Sequence, residues 1–369
     1  MDFEFTDDQL DLRDNARKLL ESACSPALVR SVYDGEADGR ALWSTLVELD
    51  WPGLGLPEAN GGLGFGVLEV GILVEELGRV VAPSPFLATV TQLAPLIREA
   101  GSSFLLDDIA AGRCTGTLAL AEGGQWRLDA ITTTAARTAG GWVLDGVKAH
   151  VVDGATADEI AVVARGDAGL GAFVVPRSEV QVTTVPVIDP SLPTATVSLT
   201  GVEVTGDRVL LEPGHPRAEP AIVRALEEAT TAMALSTVAT CRTIFETTLQ
   251  YAKDREQFGK PIGSFQALKH RLADCYLAVE RASALSYFAA LTIAEDDPRR
   301  AVATSMAKAA AGDCQRLLVR DGLQLHGGVG FTWEHDLHFA LKRAKAGDLL
   351  FGTAAFHRAR LAELLGLAA

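Results

Sequence analysis

The chain has 369 residues, 48% hydrophobic and 22% charged, enough for two or three structural units around sizeable cores. A formal net charge of -15 argues against nucleic acid or an anionic membrane surface as partner. No apolar run of about eighteen residues occurs, so no membrane span is expected, and five widely spaced cysteines without a Cys-x-x-Cys pair suggest neither a disulfide framework nor a metal site. With an acidic start, Met-Asp-Phe-Glu-Phe, in place of a leader, these features point to a cytoplasmic protein.

In chain order, Asp7 or Asp8 is expected to cap a helix through Leu10, Leu12, Ala16, Leu19 and Leu20. A second helix fits 41–49. The stretch from Leu56 to Gly64 is too rich in Gly and Pro for regular structure, and helical pattern resumes over 67–80 and 88–100. From Cys114 to about Leu211 the pattern becomes period-two, with strands expected over 130–136, 142–144, 160–164, 171–176, 180–187 and 194–204. Gly140-Gly141 and Asp145-Gly146 read as hairpin turns. Pro213 to Pro220 breaks the pattern. Beyond it come long helices: one with Val238, Cys241, Phe245, Leu249 and Ala252 on a face, one with Leu268, Leu272, Cys275, Val279, Ala282 and Leu285, a third over 301–325 and a fourth over 354–365, with Gly366 as a stop. Mainly α with a central β domain is therefore the expected class: an N-terminal helical domain (1–113), a central β domain (114–213) and a C-terminal helical bundle (214–369).

Several motifs in register carry a resemblance. They are Arg255-Glu256-Gln257-Phe258-Gly259-Lys260-Pro261-Ile262-Gly263-Ser264-Phe265-Gln266, then Gln324-Leu325-His326-Gly327-Gly328-Val329-Gly330-Phe331, then Gly352-Thr353, with Pro57-Glu58-x-x-Gly61-Gly62-x-Gly64 upstream. Their chemistry suits a dinucleotide. A pyrophosphate takes the forked donors of an arginine, a charge-assisted contact of about 1.5–3 kcal/mol. Paired glycines allow close backbone approach, and glutamines donate and accept to ribose or phosphate. The order and spacing resemble the acyl-CoA dehydrogenase family of flavoproteins over nearly the whole chain.

That resemblance implies the family's fold, with a barrel-like β domain and a four-helix C-terminal bundle. It implies FAD as cofactor, an acyl-CoA substrate, and electron-transfer flavoprotein or a similar acceptor. It also implies assembly as a homotetramer or, with a related subunit, a heterotetramer. Arg255, Gln257, Phe258, Gln266, Gln324, Gly327 and Gly328 match positions that hold the FAD of a neighbouring subunit. Thr353 matches one that holds the subunit's own flavin.

Two departures matter. Near the flavin, relatives carry Thr-Glu-Pro and a Trp-x-Thr/Ser segment; here these read Ala121-Glu122-Gly123 and His150-Val151-Val152. His150 is either a planar substitute stacking on the flavin or an ordinary strand residue. The catalytic base, a carboxylate in Glu-Gly-Thr, is replaced in Phe351-Gly352-Thr353, and Phe351 takes no proton. An alternative family position for the base aligns with Ala229, one residue from Glu228, which is the candidate catalytic residue; the other reading of Glu227-Glu228 is favourable charge near a helix N-terminus. Glu334 matches an acidic position that is not the base. The resemblance thus leaves two readings, an FAD-dependent α,β-dehydrogenase with an unusual base, or a non-catalytic partner subunit that completes another chain's cofactor site. The acyl group is open among short branched chains, steroid side chains and carrier-bound groups.

Overall fold

The computed structural model describes residues 4–367. The helices are α1 (Asp7–Ala23), α2 (Pro26–Tyr33), α3 (Arg40–Glu48), α4 (Val67–Arg79), α5 (Phe86–Ala88), α6 (Ala94–Glu99), α7 (Leu106–Ala110), α8 (Ala218–Asp254), α9 (Gln266–Ala294), α10 (Arg300–His326), α11 (Leu337–Leu349) and α12 (Ala354–Leu364). The strands are β1 (Gly116–Ala119), β2 (Thr134–Arg137), β3 (Trp142–Val152), β4 (Glu159–Gly166), β5 (Gly169–Pro176), β6 (Gln181–Val185), β7 (Thr194–Val204) and β8 (Val209–Leu211), followed by a small ribbon of β9 (Glu256–Gln257) and β10 (Lys260–Pro261). By packing, the chain divides into a bundle unit (Met1–Ala37, Val67–Ala82, Thr230–Ala369) and a sheet unit (Asp38–Gly66, Pro83–Ala229). The three-segment division along the chain stays a proposal about domain boundaries.

In the sheet unit, β1 to β8 form one mixed sheet in the order β6-β7-β3-β2-β4-β5-β8, with β1 pairing parallel to β4. Leu144, Ile160, Val162, Phe173, Val175, Val197 and Leu199 point into its core. Gly140-Gly141 makes the expected hairpin between β2 and β3. Asp145-Gly146 does not turn the chain. Gly146, at φ +155, sits inside β3 where its register against β7 shifts, because a Cβ there would meet Thr133 Oγ1 at 2.4 Å.

In the bundle unit α10 packs against α9, α11 and α12, and α4 against α1 and α9. Thr6, not Asp7 or Asp8, caps α1: its hydroxyl accepts from Gln9 N while the Gln9 amide accepts from Thr6 N. Gly366 ends α12 at φ +67, with Gly366 N and Leu367 N bonded back to Glu363 O and Ala362 O. α9 is long and apolar enough, by length and composition, to cross a membrane. In this fold its Leu272, Cys275, Val279, Ala282, Ala289 and Ile293 are buried instead. All five cysteines are buried free thiols.

Candidate functional site

The residues matched to a dinucleotide gather at one end of the bundle unit. α8 stops at Asp254, where Arg255 N still bonds Tyr251 O at 2.9 Å. The chain then turns through Phe258 (φ +54) and Gly259 (φ +76), so that β9 pairs with β10. This hairpin lifts Arg255, Gln257 and Phe258 into solvent, and Phe258 is 92% exposed. Gln266 opens α9 beside it, and Gln324 lies exposed on the last turn of α10. Gly327 (φ +61) and Gly328 continue α10 as an exposed 3₁₀ turn, with nothing within 4 Å of a Cβ built on either.

Two contacts hold these segments together. Ala252, Leu272 and Leu325 form a buried cluster joined by Leu249, Ile262 and Leu268, so the end of α8, the start of α9 and the end of α10 share one core. The Tyr251 ring stacks on His326 with centroids 4.4 Å apart, four residues before Arg255 and one before Gly327. His326 Nδ1 donates to Gly322 O at 2.8 Å, which fixes its tautomer.

This arrangement fits a pyrophosphate. Among the described residues, no hydrogen bond or ion pair engages the side chains of Arg255, Gln266 or Gln324. Most arginines of the chain are paired with carboxylates, as Arg17 is with Glu76 and Arg79 with Glu246. An exposed fork of donors beside two glycines without side chains is what an extended anion needs. Gln257 is partly engaged, its amide donating to Glu256 O at 2.7 Å.

Thr353 is the N-cap of α12; its hydroxyl oxygen accepts from Phe356 N at 3.3 Å and keeps its own proton to donate. Phe351, two residues earlier, is 2% exposed and left-handed (φ +57). The position that the resemblance assigns to the base thus holds a buried, apolar side chain on a tight turn. Asp348 is no substitute. Its carboxylate is buried and accepts from Ala354 N, Gln315 Nε2 and Lys345 Nζ at 3.3–3.4 Å.

In the sheet unit, Glu228 is buried on α8 and meets Arg98 Nη2 at 2.5 Å and Arg224 Nε at 3.6 Å. Burial works against the charge on Arg98, but Glu228 and then Glu99 more than offset this and hold its pKa up. The Arg98 guanidinium is thereby held charged against Glu228.

His150 stands at φ +54 on the exposed side of β3, where the register against β7 slips between Lys148 and Val151. The bulge re-aims it, and its Nε2 comes within 4.0 Å of a Cβ built on Gly124. Val152 is buried and offers no polar contact. Below it lies a pair that sequence reasoning missed: Lys148, fully buried, donates to Glu122 at 2.6 Å. Glu122 also accepts from Thr132 N at 2.7 Å and Thr133 N at 3.0 Å. Desolvation would raise the Glu122 pKa, but Lys148 and the two threonines outweigh it and hold it at about 2; burial brings Lys148 down to about 8. The signal was parity, since Lys148 shares the inward face of β3 with Trp142 and Leu144.

Glu334 is exposed, in a loop held by Arg30, whose guanidinium donates to Trp333 O (2.8 Å), Glu334 O (3.4 Å) and Asp336 (2.5 Å). Among the described residues no group of three or more His, Cys, Asp or Glu side chains could hold a metal.

Residues 6–110 match the model of the acyl-CoA dehydrogenase N-terminal domain, and 220–366 that of the acyl-CoA dehydrogenase C-terminal domain. The acyl-CoA dehydrogenase IpdE2 of Mycobacterium tuberculosis is 30% identical over 90% of this chain and 89% of its own. The acyl-CoA dehydrogenase FadE34 of the same organism is 32% identical over 92% of this chain, but the match spans 45% of that longer protein. A chain from the crystal structure of the ChsE4-ChsE5 complex of M. tuberculosis superposes with a TM-score of 0.92 at 28% identity, covering 100% of both chains.

Proposed function

Because the chain belongs to the acyl-CoA dehydrogenase family, we propose that it is a subunit of an FAD-dependent enzyme that dehydrogenates an acyl-CoA thioester between Cα and Cβ, and that its part is to complete the cofactor site and not to supply the base. The observation that carries this reading is the state of the carboxylates. Position 351 is a buried phenylalanine, and Glu228 is held by Arg98 at 2.5 Å. A general base must reach the proton it removes, and the Glu228 carboxylate is held through Oε1 by Arg98, with the Arg224 guanidinium beside the same oxygen.

The cofactor would be held by the residues that the resemblance assigns to it. Arg255 and the Gly327-Gly328 turn would take the pyrophosphate of a neighbour's FAD, with Gln257, Phe258, Gln266 and Gln324 around it. Thr353 would border this subunit's own flavin through its free hydroxyl proton. Bound FAD supplies the hydride acceptor for the Cβ–H bond. The substrate proton at Cα would go to a carboxylate of a related subunit. Two features of the relatives support a paired assembly: one solved neighbour comes from a complex of two differently named chains, and FadE34 is about twice the length of the segment it shares with this chain. Electron-transfer flavoprotein or a similar acceptor would remove the electrons. The five free thiols suit a reducing cytoplasm.

A second reading rests on the burial of Glu228, which would suit a base once Arg98 moved away. One experiment separates the two. The chain is purified alone and together with a related chain that retains the carboxylate, and flavin bleaching by acyl-CoA is followed in wild type and Glu228→Gln. The subunit reading expects no bleaching from the chain alone and unaltered bleaching by the pair carrying the substitution. Bleaching by the chain alone that Glu228→Gln abolishes would overturn it in favour of the second.

A further inference from the structure

The turn that carries position 351 is wound around a buried cation. Lys308 projects from α10 with no exposed surface. Its Nζ donates to Asp348 O at 3.0 Å and to Gly352 O at 2.8 Å. His357, on α12, adds a third contact: its Nε2 is 2.9 Å from Phe351 O, and since a carbonyl only accepts, Nε2 carries the proton.

Each bond has a physical reason. Asp348 lies in the last turn of α11, where backbone carbonyls lose their helical partners and the helix end is electronegative. An ammonium satisfies both demands. Phe351 (φ +57) and Gly352 (φ +97) are consecutive left-handed residues, costly for phenylalanine and stable only where the surroundings over-determine them. Their carbonyls are drawn to Lys308 and His357. One turn along α10 from Lys308, Gly312 makes the approach possible, because a Cβ there would fall 2.4 Å from Asp348 Oδ1 and 2.8 Å from the Ala354 Cβ.

All three anchored atoms, Asp348 O, Phe351 O and Gly352 O, are main-chain carbonyls. These three bonds therefore do not run through the side chain at 351. We propose that Lys308, assisted by His357, is a positioning residue that sets the Asp348–Ala354 turn, and with it the Thr353 hydroxyl, for contact with the flavin, so that the cofactor contact is retained in a chain without the usual carboxylate. This rests on the assignment of Thr353 to the flavin. Burial brings the Lys308 pKa down to about 7, against the pull of Asp348; a neutral amine keeps two N–H donors, so loss of the proton spares both bonds.

The test uses the full chain in its purified assembly, with FAD affinity and amide hydrogen exchange of a 348–357 peptide as readouts. Lys308→Met is expected to raise exchange in that peptide selectively and to weaken FAD binding at least tenfold. Thr353→Ala should weaken FAD by a similar factor, Thr353→Ser should restore it, and the double variant Lys308→Met/Thr353→Ala should bind no worse than either single one. His357→Leu, a milder loss of one anchor, should shift both readouts in the same direction and decides the matter if Lys308→Met does not fold. Unchanged exchange in the 348–357 peptide, or a uniform rise across the bundle, overturns the positioning role. A selective rise in exchange with unchanged FAD affinity in the Lys308 and His357 variants overturns the link to the cofactor. Unchanged affinity in Thr353→Ala places the failure in the assignment of Thr353 itself.

Discussion

Two stretches of the bundle unit are built in opposite ways. From Arg255 to Gln266 the chain projects polar groups outward, and the Arg255 side chain meets no partner among the described residues. From Asp348 to Ala354 nearly every polar group turns inward: three carbonyls are taken by Lys308 and His357, the Asp348 carboxylate by Ala354 N, Gln315 and Lys345, and the Thr353 oxygen by the α12 cap. Unsatisfied exposed donors next to bare glycines form a surface that gains energy from an anion. A turn satisfied by its own protein gains little from a ligand except through the group left at its rim, the Thr353 hydroxyl. The contrast is what the proposed half-site requires: a surface open to the cofactor and a turn closed at position 351.

The sharpest way to break the contrast is Phe351→Glu. If residue 351 is locked inside the turn, the carboxylate is buried without a cation of its own, and melting should fall by the equivalent of about 3–5 kcal/mol, with no gain of flavin bleaching. Gain of bleaching in a stable protein would show the side chain reaching substrate. Next in size is a pair of glycine substitutions. Gly352→Ala puts a Cβ on a residue at φ +97, 2.4 Å from the Phe356 ring, and should cost roughly 2 kcal/mol or more. Gly328→Ala meets nothing within 4 Å and should leave stability within about 0.5 kcal/mol, yet weaken FAD by crowding the backbone. Equal stability losses at the two glycines would end the comparison. Arg255→Ala comes third: the fold is kept, while FAD binding weakens roughly ten- to a hundredfold, about 1.4–2.8 kcal/mol. An unchanged flavin-to-protein ratio after dialysis would contradict the half-site.

Much of this was legible in the residues because it rests on local rules. The order of helical, β and helical segments follows periodicity, and β7 occupies the predicted 194–204. The Arg255, Gln324 and Gly327-Gly328 motifs converge because the long helices carrying them end together. What escaped was set by tertiary contact. α11 was missed because buried Arg343 and Asp348 interrupt its apolar pattern; Arg343 reaches Ala82 O at 3.1 Å, a partner hundreds of residues away in sequence. α2 did carry a signal, Ser25 as cap with Pro26 in the first turn. Lys308 reads as one more polar position in an alanine-rich helix until the turn it anchors is seen. The ion pair of Glu228 with Arg98 joins residues 130 apart and has no local signature.

The smallest effect is nil at neutral pH and appears only in acid. Burial, and then the charge of Lys308, push the His357 pKa from 6.5 down to about 3, while the bond to Phe351 O pulls the other way. The unfolded chain takes up the His357 proton below about pH 6.5, whereas the folded chain does not until about pH 3. Between those limits the unfolded state binds more protons, so stability falls as the pH falls, by at most about 1.4 kcal/mol per unit from this group, and the loss is complete near pH 3. His357→Leu has a fixed penalty from the lost bond to the turn, but it removes this slope. Urea midpoints of the two proteins at several values from pH 7 to pH 4 should therefore converge on acidification. The Arg255 segment supplies the control: Arg255→Ala leaves His357 and its bond to the turn untouched, so it should track wild type across the same range. Parallel curves for wild type and His357→Leu would mean that His357 is not held neutral against the Phe351 carbonyl, and the closed turn would lose one of its three anchors.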